Sequence, residues 1–189
     1  MHDLEPFDRW NSIYNAALDP RSPFYGTKYH PTLCTHTIYN YYIHPQWDSI
    51  ESSTLYVKLL WCDYSTHFAI IELLGEWNDI LHNDIMLLKR NLVDLLLEQG
   101  IQKFLIIGEN VMDFHADSDD YYQEWWDELE DGWIVGLNFR DHVAEEFKSA
   151  RLTKFIWLEG SFGTLNWRKL TPTTLQQVIE TLLAKYLNY

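Results

Sequence analysis

The sequence predicts an α/β protein built on a mixed, mostly parallel sheet, and three observations lead there. Short apolar runs of strand length recur after residue 54 and alternate with amphipathic stretches of helical period. The first two runs are separated only by Asp63-Tyr64-Ser65-Thr66, which makes them a hairpin. The later runs stand roughly a dozen or more residues apart, the spacing that a crossover between parallel strands needs.

Each element follows from local pattern. Residues 1–53 form an N-terminal aromatic extension expected to pack on the main domain, adding a strand or covering one face. In it FDRWNSIYNAAL (7–18) reads as a short helix ended by the turn-forming DPRSP, TLCTHTIYNYYI (32–43) as a strand and HPQWDSIESS (44–53) as a loop. Residues 54–189 form the main α/β domain. TLYVKLLWC (54–62) and HFAIIELLGEW (67–77) are the hairpin strands. A helix over 82–99 carries the apolar stripe Ile85, Leu88, Leu92, Leu95 and Leu96, with Lys89, Arg90 and Asp94 on its polar face. Gly100 stands where a left-handed helix cap belongs. KFLII (103–107), a helix at 118–130, IVGLNF (134–139), a helix at 142–150 and KFIWL (154–158) come next. The last helix begins at Thr171-Pro172, a cap followed by proline at the first helical position, and its stripe is Leu175, Val178, Ile179, Leu182 and Tyr186. From residue 54 the order is β-β-α-β-α-β-α-β-α.

Composition narrows the function. A 47% hydrophobic, 16% aromatic chain has ample material for a core, and its net charge of −14 repels nucleic acid and anionic membrane surfaces. The best basic patch, Arg140, Lys148, Arg151 and Lys154, is interleaved with Asp141, Glu145 and Glu146. Two cysteines outside any CxxC pair fit reduced thiols. With no secretory pattern at the N-terminus and no apolar run of spanning length, the expected location is cytoplasmic. No GxGxxG, GKS/T, GxSxG or HExxH motif occurs, so no cofactor is expected.

The element order resembles the STAS domain of sulfate transporters and anti-anti-sigma factors, and the related SpoIIAA-like proteins. The similarity covers about residues 54–158. It includes Leu73-Leu74-Gly75-Glu76 at the end of the second strand, the long helix closing at Gly100 into the central strand, and GWIVGLNFRDHVAEEFKSARLTKFIWL (132–158). The resemblance implies a functional loop between the central strand and the next helix, where a typical sequence is Asp-Ser-Ser-Gly. Here the place is taken by Asp117-Ser118-Asp119-Asp120. Asp119 stands where the family carries its phosphoacceptor serine. That carboxylate would mimic a permanently charged state, or the loop would have lost the switching role.

The stretch HADSDDYYQEWWDELED (115–131) bears most on function, with eight Asp or Glu and no Lys or Arg around paired aromatics. A plain amphipathic helix accounts for it if Ser118 or Asp117 caps the helix, Asp119 and Asp120 meet the helix dipole, and Tyr121, Tyr122, Trp125, Trp126 and Leu129 face a core. A cation loop would use Asp113, His115, Asp117 and Glu124 at positions 1, 3, 5 and 12, although Ser118 replaces the turn glycine and a strand precedes the loop. A docking face would leave one aromatic column exposed within a ring of carboxylates, suited to a basic protein partner.

Other constellations are weaker. Cys34 and His36 share a strand face, and with Cys62 and His67 they would make a zinc site of unfamiliar spacing. His115, among carboxylates, is a candidate pH-sensitive group. The expected function is a non-enzymatic regulatory or protein–protein interaction module acting through the acidic, aromatic loop and helix at 113–130. Its partner is another protein, with homo-oligomerisation an open option and nucleic acid and membrane excluded. The alternative is a small-molecule-binding protein or enzyme with a pocket between the extension and the sheet, lined by His36, Tyr39, Tyr41 and His44.

Overall fold

In the computed structural model, which describes residues 2–34 and 36–187, the chain forms two sheets. Three short strands, β1 (His2–Leu4), β2 (His36–Ile38) and β3 (Tyr41–Ile43), make a small sheet in the order β1-β3-β2. The main sheet has five strands side by side in chain order: β4 (Asp48–Ser49), β5 (Leu55–Asp63), β6 (Phe68–Asn78), β7 (Lys103–His115) and β8 (Trp133–Leu137). β4 and β6 run antiparallel to β5, while β7 and β8 continue parallel to β6. This is the mixed α/β architecture expected from the hairpin and the spaced apolar runs.

Helices cover the sheet. Between β6 and β7 lie α1 (Asp79–His82), α2 (Asp84–Leu88), a π-helical turn (Lys89–Val93) and α3 (Asp94–Glu98). They are followed by α4 (Asp120–Asp127), α5 (Asp141–Ser149) and α6 (Pro172–Leu187). One face of the sheet packs on the β6–β7 helices, α4 and α5 through Leu73, Trp77, Leu92, Phe104, Tyr122, Trp125 and Phe147. The opposite face packs on α6 and the N-terminal segment through Trp10, Phe68, Ile107, Trp167, Leu175 and Ile179. A third cluster, including Ile38, Ile43, Trp47 and Leu74, seats the small sheet. Both faces are thus covered, as parallel strands require. Among the described residues, no helix is long and apolar enough to cross a membrane.

Local chemistry explains the boundaries. Gly75 has φ +121°, and a Cβ there would collide with the carbonyl oxygen of Thr54. Gly75-Glu76 does not end the strand, which runs on to Asn78; the glycine is therefore a backbone requirement at a shift in register with β7. Gly100, at φ +87°, closes α3. The Gly100 N–H reaches the Leu97 carbonyl (2.8 Å) and the Ile101 N–H reaches Leu96 (3.0 Å), the paired bonds of a Schellman cap. Thr171 caps α6 by accepting from the Thr174 N–H at 3.2 Å.

Several expectations fail for identifiable reasons. Residues 7–18 form turns, not a helix, with Trp10 and Ala16 acting as single buried anchors. The 32–43 strand is broken between β2 and β3, where Tyr39 takes φ 52°, and the 44–53 loop contains β4. KFIWL (154–158) makes only one bridge, Val135 to Trp157, after a short 3₁₀ turn at Leu152–Lys154. Phe155, Ile156 and Leu158 all enter the same core cluster, which the two-residue alternation of a strand forbids. In α6 the buried stripe is Leu175, Ile179 and Leu183, while Tyr186 is exposed.

Candidate functional site

The central strand does not end at residue 107. β7 runs on to His115 beside β6, past the end of β8, so Asp113 and His115 are extended strand residues. His115 Nε2 lies 3.4 Å from Asp113 and 3.6 Å from Glu76. The twelve-residue cation spacing is not folded into an ion loop. Glu124 is instead held by Arg90 at 2.7 Å, and Asp117 lies out in the connection. Among the described residues, no group of three or more His, Cys, Asp or Glu side chains is placed to hold a metal ion.

α4 starts later than expected. Neither Ser118 nor Asp117 caps it: the cap position is Asp119, which makes no side-chain cap bond, and Ser118 Oγ donates to Asp120 at 3.0 Å. The Asp119 carboxylate is taken by Lys154 at 2.7 Å, and that hydrogen bond holds its pKa below the ordinary range. Tyr122 and Trp125 are fully buried, while Tyr121 and Trp126 are half-buried. Tyr122 and Trp125 therefore supply no contact area. The Tyr122 hydroxyl donates to Asp79 at 2.7 Å, and Trp125 packs edge-on against Phe104 with centroids 5.1 Å apart.

Much of the acid on α4 is neutralised from within. Lys89, expected on a polar face, is fully buried: it stands four residues after Ile85, on the same buried side of the helix, beneath α4. Its Nζ contacts Asp94 at 2.5 Å, Glu128 at 2.6 Å and Glu124 at 3.4 Å. Burial opposes the charge, but the bonds to Asp94 and Glu128 outweigh it and raise the ammonium's pKa. Lys89→Met should cost about 2 kcal/mol in urea unfolding. That is less than a deeply buried pair because the three carboxylates reach solvent. The loss should shrink only as pH falls below the ordinary carboxylate range, because Lys89 and Arg90 hold Asp94 and Glu124 low.

The other end of α4 borders a groove. A cavity of about 370 Å³ is lined by Trp126 from α4, Asp131 and Gly132, Trp133 from β8, Trp157, Lys103 from β7, and Glu180, Leu183 and Ala184 from α6. Lys103 Nζ pairs with Glu180 at 2.7 Å; this bond, against partial burial, holds the Glu180 pKa low. A second depression of about 440 Å³ shares Lys103 and Asp131 and adds His67, Gly100, Gln102 and Glu130. The groove lies at the amino ends of β7 and β8, opposite the loop at 113–120. Asp127, Glu130 and Asp131 enter no ion pair among the described residues. Trp133, Trp157, Lys103 and Glu180 escape sequence reasoning because they lie far apart in the chain.

The remaining candidates are dispersed or packed. Cys62 is buried on β5, and burial pushes its thiol up to about 12, the wrong direction for a nucleophile. His67 Nδ1 is 2.7 Å from the Gly100 carbonyl, and the His36 ring lies tilted beside Tyr56 with ring centroids 6.2 Å apart. His44 is buried and Tyr41 packs against the cluster under the small sheet. Tyr39 is exposed, its hydroxyl bonding Glu76 at 2.8 Å.

Several buried ionisable groups, among them Asp48, Lys58, Glu72, Asp79 and Asp84, carry no sequence signal; of these Glu72, the lone acid in FAIIELL, lies beneath the N-terminal segment. It accepts the Phe7 N–H at 2.9 Å, with Asn110 Nδ2 at 3.5 Å and Arg168 at 4.0 Å. Arg168 also grips Glu109, which accepts from Asn138 and the Trp167 indole. Burial raises the Glu72 pKa to about 7. No protein-family model matches the chain, and a search of curated proteins finds no significant relative.

Proposed function

We propose that the protein is a non-enzymatic regulatory or protein–protein interaction module of STAS-like type. Its partner face is the carboxyl end of α4 together with the tryptophan-lined groove beside it. One observation carries this reading. The half-buried indoles of Trp126 and Trp157, with the buried Trp133, line a groove of about 370 Å³ whose lining also holds Asp131, an exposed carboxylate just past α4 that enters no ion pair among the described residues. Tryptophan is the side chain most enriched at binding hot spots, and a pocket within a charged rim suits an anchor residue of a protein partner. The hairpin followed by parallel strands in chain order is consistent with the winding that the STAS resemblance implies. Asp117, Ser118, Asp119 and Asp120 lie at the far end of α4 and shape the turn into it.

The test is a pull-down from the source cells with the wild-type chain and a Trp126→Leu/Trp157→Leu variant, with folding checked by circular dichroism. The wild type should retain a partner, and the folded variant should lose it by about tenfold or more, the effect of removing a hot-spot anchor. Equal recovery by both would rule this face out.

A further inference from the structure

We infer that the groove receives the cationic side chain of a basic protein segment, arginine foremost. This rests on the reading of the groove as a partner face and names the chemistry of its occupant. Indole faces carry negative quadrupole charge and attract cations, and Trp is the strongest such ring. Trp126 and Trp157, both half-buried, line one cavity together with the buried Trp133. In the same lining Lys103 and Glu180 neutralise each other at 2.7 Å, which leaves the Asp131 carboxylate as the net charge. An anion would face these carboxylates and electron-rich rings. A purely apolar anchor would desolvate Asp131 with nothing to replace its water. An arginine guanidinium satisfies both, stacking flat on an indole while donating to a carboxylate. Glu130 and Asp131 continue along the adjoining depression, giving flanking basic residues a path, and the chain's charge of −14 steers such a segment inward.

The experiment uses ¹⁵N-labelled full-length protein and reads the assigned indole N–H signals during titration with acetylated, amidated hexa-arginine. Hexa-citrulline, the same shape without charge, is the control. Hexa-arginine should shift the Trp126 and Trp157 indoles saturably, and hexa-citrulline should leave them in place. Trp126→Leu should weaken binding about threefold to tenfold. Asp131→Asn, at an exposed position, should weaken it about twofold. Amide spectra report whether each variant is folded. Equal shifts with hexa-citrulline would overturn the cation assignment. So would hexa-arginine shifts scattered over the acidic surface with both indoles unmoved. If either occurs while Trp126→Leu/Trp157→Leu still loses its cellular partner, the choice of occupant is wrong and the interaction face stands. If the pull-down is also unchanged, both fail.

Discussion

Replacing Trp125 by alanine should lower stability by about 3–5 kcal/mol, a drop in Tm on the order of 10 °C. Its ring is fully buried between α4 and the sheet and meets Phe104 edge-on at 5.1 Å. Truncation leaves a cavity that the neighbouring strand cannot fill by moving, so transfer and cavity terms add. Trp125→Phe should cost far less, about 1 kcal/mol. It keeps most of the ring and removes an indole N–H that finds no partner among the described residues, and deleting an orphan donor offsets part of the lost packing. The two variants thus separate a core role from a docking role. If Trp125 were a contact residue, alanine and phenylalanine would both leave the unfolding transition in place and change only partner binding. Trp126, next in sequence and half-buried, should behave in the opposite way.

That contrast marks how far the sequence could be read. The spacing of Tyr122, Trp125, Trp126 and Leu129 identifies an amphipathic helix but leaves open which of two adjacent aromatic columns turns inward. The answer depends on where α4 meets Phe104 and Phe147, contacts made by residues far along the chain. Elements governed by local rules were legible: the hairpin from its short turn, the end of α3 from Gly100, the start of α6 from Thr171-Pro172. Lys89 shares the buried side of Ile85 by its four-residue spacing, but its charge reads as a polar face because the carboxylates that receive it, Glu124 and Glu128, lie far along the chain. β7 was cut short because Glu109, Asn110 and Asp113 interrupt its apolar run. Their polar groups are met by Asn138, Glu72, Arg168 and His115, partners that only the folded chain supplies. The groove was invisible for the same reason, its lining being drawn from α4, β7, β8, α6 and the segment around Trp157.

Glu72 leads to the second large effect, a fall in stability as the solution is made neutral. Burial is the main cause of its raised pKa, and the Glu109 carboxylate adds to it. The Phe7 N–H and Arg168 only partly compensate. Its folded-state value is about 7 against an ordinary 4.5, so between those values the native chain holds a proton that the unfolded chain has released. Stability from this group is therefore fully present below about pH 4.5 and is lost as pH rises through about 7, a total of about 3 kcal/mol. Asp79, raised mainly by burial to about 6, adds a loss of the same sign at lower pH. The carboxylates held low by cationic partners, such as Asp94 and Glu124, act oppositely, and their contribution disappears only as pH falls below the ordinary carboxylate range. Urea unfolding should accordingly show greatest stability near pH 5 and a decline toward pH 8. Glu72→Gln keeps the shape and an acceptor for the Phe7 N–H while removing the titration. It should flatten the decline between pH 5 and 8 by about 3 kcal/mol and leave the acid limb unchanged. A wild-type profile level over that range, or a Gln variant with the same slope as wild type, would mean that Glu72 reaches solvent and that the N-terminal segment does not seal it.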